Sequence, residues 1–350
     1  MKIALVCRVY TTHRPGGMPH VCADRAEELA RQGHDVRVLT TAHQDKGFGG
    51  GVVNGVGVHH FKCAAMEYTD EFAEACRRAC MEFEPDIIHL DSLDRSRPWW
   101  RSRPGNPKAV GVTMHGFGMG AFLTDWNLWR TQPDDHQQPQ FNHHAIAAEA
   151  YGLAEFDRVC AISLHEQTML EDCYGLTNVS LVYNPIPGYF FDRPTVPPPE
   201  KRRFLCAAVS GQSTRMFHVA QQAAQQAGVE LVVANDVPRD QMPELYDGVT
   251  ALVVPTCYAQ GYDLTVAEAL ARNRPVILSQ TGSYYREFRD AYTWPGRMVP
   301  LGDVDALRDA MLGSLVSPSD LPQQTFGHGL AGRHHPKWHV GQWLKAMSAE

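Results

Sequence analysis

The sequence predicts an α/β chain of two doubly wound domains with parallel sheets, and three observations carry that prediction. Short apolar runs alternate with stretches of helical periodicity along most of the chain, the pattern of parallel strands joined by crossover helices. A proline-rich stretch over 185–203 interrupts the alternation, which then resumes. The length, 350 residues, exceeds what a single hydrophobic core usually supports.

The elements follow in order. Residues 3–7 are apolar, a Gly/Pro loop follows, and 23–31 repeat apolar side chains at helical spacing. Gly33 suits the end of that helix and 35–40 reads as the next strand, completing a βαβ unit. Helix 70–83, strands 86–90 and 109–114, helix 145–153, strand 158–162, helix 165–173 and strand 179–183 continue the alternation. Residues 1–184 are therefore expected to form an N-terminal Rossmann-like domain.

The stretch 185–203 holds Pro185, Pro187, Pro194 and Pro197-Pro198-Pro199 and reads as a stiff extended linker. Beyond it, strand 204–209, helix 217–227, strand 230–234, helix 242–247, strand 251–255, helix 264–271 and strand 275–278 build a second, smaller Rossmann-like domain over 204–330. Trp338, Val340, Trp343, Leu344 and Met347 stand at partly helical spacing, so 331–350 is expected to dock as a C-terminal helix on one of the domains. Open α/β sheets bind ligands beyond the carboxyl ends of their strands, which predicts an interdomain cleft as the place of the chemistry.

Composition narrows the function. With 20% charged and 44% hydrophobic residues the chain is expected to be globular throughout. A net charge of -7 with His neutral argues against a general electrostatic grip on nucleic acid or on an anionic bilayer. The apolar run near Met1 is too short for a signal peptide, and no stretch approaches the roughly 18 apolar residues of a membrane span. A cytoplasmic location without a transmembrane segment is the expectation. Nine cysteines include no CxxC pair; Cys76 and Cys80 lack a histidine at ligand spacing and read as buried thiols, so no metal is expected.

The most informative segment is 255–271, Pro-Thr-Cys-Tyr-Ala-Gln-Gly-Tyr-Asp-Leu-Thr-Val-Ala-Glu-Ala-Leu-Ala. A strand ends there, a turn at Gly261 opens a helix, and the amides at the start of that helix suit a diphosphate. Glu268 lies just over one turn in, within reach of ribose hydroxyls. Taken alone, a glycine between loop and helix more often only shapes a turn.

This segment resembles the fingerprint of the retaining family 4 glycosyltransferases of GT-B fold, two Glu residues separated by seven positions and followed by an apolar strand. Glu268 matches the second Glu and Gln260 stands at the first. Arg272-Asn273-Arg274-Pro275-Val276-Ile277 continues the pattern, with Asn273 where glycine is usual. Further matches fall in the family order: Pro15-Gly16-Gly17-Met18, Gly33-His34-Asp35-Val36, Val112-Thr113-Met114-His115-Gly116, Ala161-Ile162-Ser163, Val182-Tyr183-Asn184-Pro185, and Val237-Pro238-Arg239 with Pro243-Glu244-Leu245-Tyr246. Together they span nearly the whole chain.

The resemblance implies two domains facing a cleft and transfer of a sugar from a UDP- or GDP-sugar to a hydroxyl acceptor with retention of configuration. No cofactor beyond that donor substrate is implied. Donor-binding positions are Gly16, Gly17, Arg215, Gln260, Gly261, Tyr262, Asp263, Leu264 and Glu268. The family's catalytic set corresponds to His115, Arg215, Gln260 and Glu268: the second Glu on ribose, the first position on sugar hydroxyls, and the strand-end histidine on the donor sugar.

Two departures stand out. Gln260 replaces a carboxylate with an amide. Ala207 and Ala208 occupy the place where the family carries Gly-Arg, leaving Arg215 as the candidate phosphate cation.

Asp91 and Asp94 follow a strand and, with Trp99 and Trp100, are the candidate acceptor contacts. Arg95, Arg97, Arg101 and Arg103 flank the two tryptophans, an interleaving that suits an anionic or flat partner, or else solvated arginines around packed rings. The acceptor is left open among a metabolite, a protein, a lipid headgroup and a modified nucleic acid base, and a homodimer is left open as well. Two other readings share the architecture. One is an epimerase or phosphorylase. The other, suggested by Gln260 and Ala208, is a degenerate sugar-nucleotide-binding protein or partner subunit without transfer activity of its own.

Overall fold

The structure, a computed structural model, describes the chain apart from residues 12, 14–15, 43–48, 92–97, 117, 208–212, 236, 260, 262, 289–295, 316–330 and 349–350. The chain forms two compact units that do not simply follow sequence order. Met1–Phe117, Asn142–Pro185 and Pro336–Glu350 make the first, and Gly118–Phe141 with Ile186–His335 make the second. The sequence-based boundary near residue 185 therefore coincides with a crossing between units. Residues 118–141 and the C-terminal helix each belong to the unit opposite to the one their position suggests.

The first unit is built on an eight-stranded sheet. Its strands are β1 (Lys2–Val6), β2 (Asp35–Thr40), β3 (Gly49–Val53), β4 (Val56–His60), β5 (Ile87–Leu90), β6 (Ala109–Thr113), β7 (Arg158–Ala161) and β8 (Val179–Leu181). Their order is β3-β4-β2-β1-β5-β6-β7-β8. All neighbours pair in parallel except the β3–β4 hairpin. That hairpin has no counterpart in the sequence-based reading, because Gly49-Gly50-Gly51 carry neither apolar alternation nor strand propensity. Helices α1 (Gly17–Arg31) and α2 (Asp70–Phe83) follow strands as crossovers should. Cys76 and Cys80 are buried thiols on α2.

The C-terminal helix spans Pro336–Ser348 and packs on α1 and against β6 and β7. Its Val340, Trp343, Ala346 and Met347 join Ile3, Leu5, Val36 and Val38 in one core. Gly111 in β6 makes this approach possible: a Cβ there would lie 2.6 Å from Met347 Sδ and 3.2 Å from His89 Nδ1.

The second unit carries five parallel strands, β9 (Arg203–Ala207), β10 (Glu230–Ala234), β11 (Ala251–Val254), β12 (Val276–Ser279) and β13 (Gly296–Val299), in the order β10-β9-β11-β12-β13. Side chains alternate between two cores, as the two-residue period of a strand requires. Phe204, Cys206, Ala251, Val253 and Ile277 face the helices Phe217–Ala227 and Val304–Leu312, while Leu205, Leu252, Val254, Val276 and Leu278 face Met242–Asp247 and Leu264–Ala271.

The proline-rich stretch is strapped to this unit. Arg272, fully buried, donates to the carbonyls of Phe190, Arg193 and Pro194, and Arg274 donates to those of Val196 and Pro197. Proline-rich backbone keeps its carbonyls while losing amides, so guanidinium donors are its natural partners.

Candidate functional site

Several elements of the second unit come together around the helix Leu264–Ala271. β11 ends at Val254 and the chain turns through Gly261, whose φ of 73° is left-handed. That conformation favours glycine over any residue with a Cβ. The helix then starts at Leu264 with Asp263 in the N-cap position, yet the Asp263 carboxylate makes no capping hydrogen bond. Asp263, Leu264 and Thr265 are partly exposed, whereas Val266 to Ala271 are buried. The amide-bearing end of this helix is thus its open end.

The Asp263 carboxylate is engaged elsewhere. Oδ1 accepts from Arg215 Nη1 at 2.5 Å and Oδ2 accepts from the hydroxyl of Tyr284. The negative charge of Asp263, acting against burial, raises the Arg215 pKa further. Arg215 sits at the end of the turn Ser213–Arg215. The Thr214 carbonyl of that turn accepts from the Cys257 amide at 3.0 Å and from Thr256 Oγ1 at 3.0 Å. The arginine is therefore fixed relative to the loop after β11.

Glu268 is 4% exposed. Its Oε2 accepts from Tyr246 Oη at 2.9 Å and its Oε1 lies 3.6 Å from Arg239 Nε. Burial raises the pKa of this carboxyl, while Arg239 and Tyr246 pull against that rise. Tyr246 comes from the helix Met242–Asp247 and Arg239 from the preceding turn Arg239–Gln241. Both anchors were overlooked in the sequence: Arg239 and Tyr246 lie inside matching segments, but nothing in their spacing shows that they converge on one carboxylate.

The helix Gly118–Thr131 is also attached to this site. The amide of Ala259 donates to Thr124 Oγ1 at 3.0 Å, and Asn127 Nδ2 donates to the Cys257 carbonyl at 3.2 Å.

In the first unit the strand ends carry a separate polar cluster. Asp91 is fully buried and its Oδ1 accepts from Arg25 Nη1 at 2.7 Å. His115 Nε2 stands 3.5 Å from the same oxygen, with 12% of the His115 side chain exposed. Burial opposes ionisation of Asp91, but Arg25, with His115 and His89, holds its pKa well below the carboxylate range. Arg25 also donates to His339 Nε2 at 3.1 Å and Thr113 Oγ1 at 3.3 Å, and Trp343 donates to His89 Nδ1 at 3.3 Å. The C-terminal helix thus reaches the cluster that carries His115. Gly16 and Gly17 open α1 with both residues exposed and no side-chain cap, and a Cβ at Gly17 would meet nothing within 4 Å.

Burial separates the candidate acceptor residues. Asp91 is fully buried and committed to Arg25 inside the unit. Trp100 is 2% exposed and stacks on Phe156 with ring centroids 5.1 Å apart, so it too is a core residue. Trp99 is partly exposed. Arg101 pairs with Glu155 and Arg103 with Asp157, which gives these two arginines of the Arg/Trp stretch structural partners. Asp94, Arg95, Arg97, Ala208, Gln260 and Tyr262 lie outside the described residues.

Residues 15–187 match the family model described as Glycosyltransferase Family 4, and residues 200–316 match that of Glycosyl transferases group 1. The chain is a family 4 glycosyltransferase of GT-B fold. Solved structures agree with this fold. Sucrose-phosphate synthase from Thermosynechococcus elongatus superposes with a TM-score of 0.69 at 16% identity, covering 99% of this chain and 94% of that one. Anabaena Alr3699/HepE, solved with UDP and glucose, gives 0.68 at 12% identity, covering 99% of each chain. The catalytic domain of starch synthase IV from Arabidopsis thaliana, bound to ADP and acarbose, gives 0.57 at 12% identity over 100% of this chain and 95% of that one. No curated protein matches the sequence. Among the described residues of the glycosyltransferase, no helix is long and apolar enough to cross a membrane.

Proposed function

We propose that this glycosyltransferase takes a sugar from a UDP- or GDP-sugar and passes it to a hydroxyl acceptor with retention of configuration, gripping the donor through its second unit. The observation that carries the reading is the helix Leu264–Ala271: its open, uncapped end and the buried carboxylate of Glu268 just over one turn along it. A helix end of this kind offers oriented amides to a diphosphate. Glu268 then serves the ribose and Arg215 a phosphate oxygen. The solved neighbour Alr3699/HepE carries UDP, which supports a nucleoside diphosphate as the ligand class.

The chemistry follows from where charge develops. As the bond between sugar and diphosphate breaks, negative charge builds on the departing phosphate oxygens, and fixed amides with a nearby guanidinium stabilise it without reorganising. No covalent nucleophile is assigned. In this reading Gly261, Asp263 and Leu264 contribute backbone to the donor site. Gln260 and Tyr262 take the roles their positions in the fingerprint imply, and Gly16, Gly17 and His115 those that the wider family resemblance implies. Trp99 is the remaining described aromatic candidate on the acceptor side.

The test is calorimetric titration of the purified chain with UDP-, GDP- and ADP-sugars, followed by mass-spectrometric detection of sugar transfer or donor hydrolysis. Binding of one donor with release of its nucleoside diphosphate is expected. Binding without transfer or hydrolysis across a broad acceptor panel would instead support a sugar-nucleotide-binding subunit. Absence of binding to every donor would sink the assignment.

A further inference from the structure

The cation proposed for the donor already has an anionic partner within the protein. Arg215 is the guanidinium proposed for the diphosphate, and the carboxylate that holds it belongs to Asp263, the N-cap residue of the helix on which that diphosphate is proposed to rest. Most N-cap aspartates turn their side chain onto the amides of their own helix. Asp263 does not. Its two oxygens are divided between Arg215 and Tyr284. The second cation nearby, Arg239, faces Glu268 of the same helix at 3.6 Å. Each of these arginines thus faces a carboxylate from one eight-residue helix and its cap.

Resting on the donor reading above, we infer that Asp263 is an internal counter-ion that competes with the donor diphosphate for Arg215, so that donor binding proceeds by exchange of one anion for another. A phosphate oxygen that reaches Arg215 takes the place of Asp263 Oδ1, while Tyr284 retains its hold on Oδ2. The exchange forms one charge-assisted hydrogen bond as it breaks another, and the net gain from Arg215 is smaller than an unpaired guanidinium would give. Both carboxylate and diphosphate are then negative at one helix end, and their repulsion weakens the bound state and favours release of the product diphosphate. Asp263 lowers affinity in this scheme, the opposite of what a residue that merely builds the site would do.

The experiment measures the affinity of UDP, GDP and ADP for the full chain by calorimetry, in wild type, Asp263→Asn, Asp263→Ala, Arg215→Ala and the double variant Arg215→Ala/Asp263→Asn. Circular dichroism confirms that each is folded. Removing the competing charge is expected to tighten binding of the preferred diphosphate by about tenfold or more, with a steeper dependence on salt. In the Arg215→Ala background the same change is expected to have little effect. Unchanged or weaker binding in both Asp263 variants, with wild type binding normally, overturns the inference and leaves the donor reading intact. Equal tightening with and without Arg215 also overturns it, since the effect is then one of general charge. If wild type binds none of the three diphosphates, the donor reading falls and this inference with it.

Discussion

Glu166 supplies the sharpest test of the electrostatics of the first unit. Ser163-Leu164-His165-Glu166 reads as a capping box at the start of the helix Leu164–Thr168,. Ser163 Oγ accepts from the Glu166 amide at 3.1 Å, and Glu166 Oε2 accepts from the Ile162 amide at 2.7 Å. The carboxyl is fully buried, and among the described residues its Oε1 has no hydrogen-bond partner. Burial drives its pKa from 4.5 up to about 8, against the pull of the Ile162 amide.

The folded state therefore holds a proton that the unfolded chain has already lost. The contribution of Glu166 to stability is full below about pH 4.5, falls as pH rises, and levels off once pH passes through the folded value of about 8,. The whole displacement is worth about 4–5 kcal/mol at about 1.4 kcal/mol per pH decade. About 2 kcal/mol of it is lost between about pH 6 and about pH 8.

Glu166→Gln removes the titration while keeping an oxygen for the Ile162 amide. Urea unfolding of wild type and variant at both pH values, followed by circular dichroism, measures the difference. The variant is expected to gain about 2 kcal/mol on wild type as pH rises over that range. Parallel stability curves would refute the burial argument, because they would mean that Glu166 ionises near its ordinary value.

Three further outcomes follow from the geometry. Glu268→Gln is expected to weaken UDP binding by about ten- to a hundredfold, from charge-assisted hydrogen bonds of about 1.5–3 kcal/mol, and the loss should shrink when 2′-deoxy-UDP replaces UDP in the titration. Asp91→Asn leaves Arg25 buried without its counter-charge and is expected to cost about 3–5 kcal/mol; an unchanged urea midpoint would contradict the buried pair. Trp343→Ala empties a fully buried site on the C-terminal helix and is expected to cost about 3–5 kcal/mol, read as a lower thermal midpoint.

Much of the architecture was legible because strands and crossover helices write themselves locally. Residues 70–83, 217–227, 242–247 and 264–271 were expected as helices and are helices. Four apolar residues at Ala251–Val254 between Thr250 and Pro255 can hardly be anything other than a strand covered on both faces,. The hairpin Gly49–His60 was missed because glycine carries no periodic signal. The helix Gly118–Thr131 is only weakly signalled around Trp126 and Trp129, because its glycines and aromatics follow no simple apolar stripe,.

The sequence by itself determined the fold class, the family, and the turn at Gly261 opening the helix that bears Glu268, since each rests on residues close together in the chain. Only the tertiary structure decided what those residues touch. It decided that Asp263 neutralises Arg215 instead of capping its helix, that Tyr246 and Arg239 hold Glu268, and that Asp91 and Trp100 are interior. It also decided that the last helix returns to the first unit, where Trp343 meets His89. The physical reason is range: propensity and capping act over a few residues, whereas desolvation and charge pairing depend on groups from 22 to 254 positions apart.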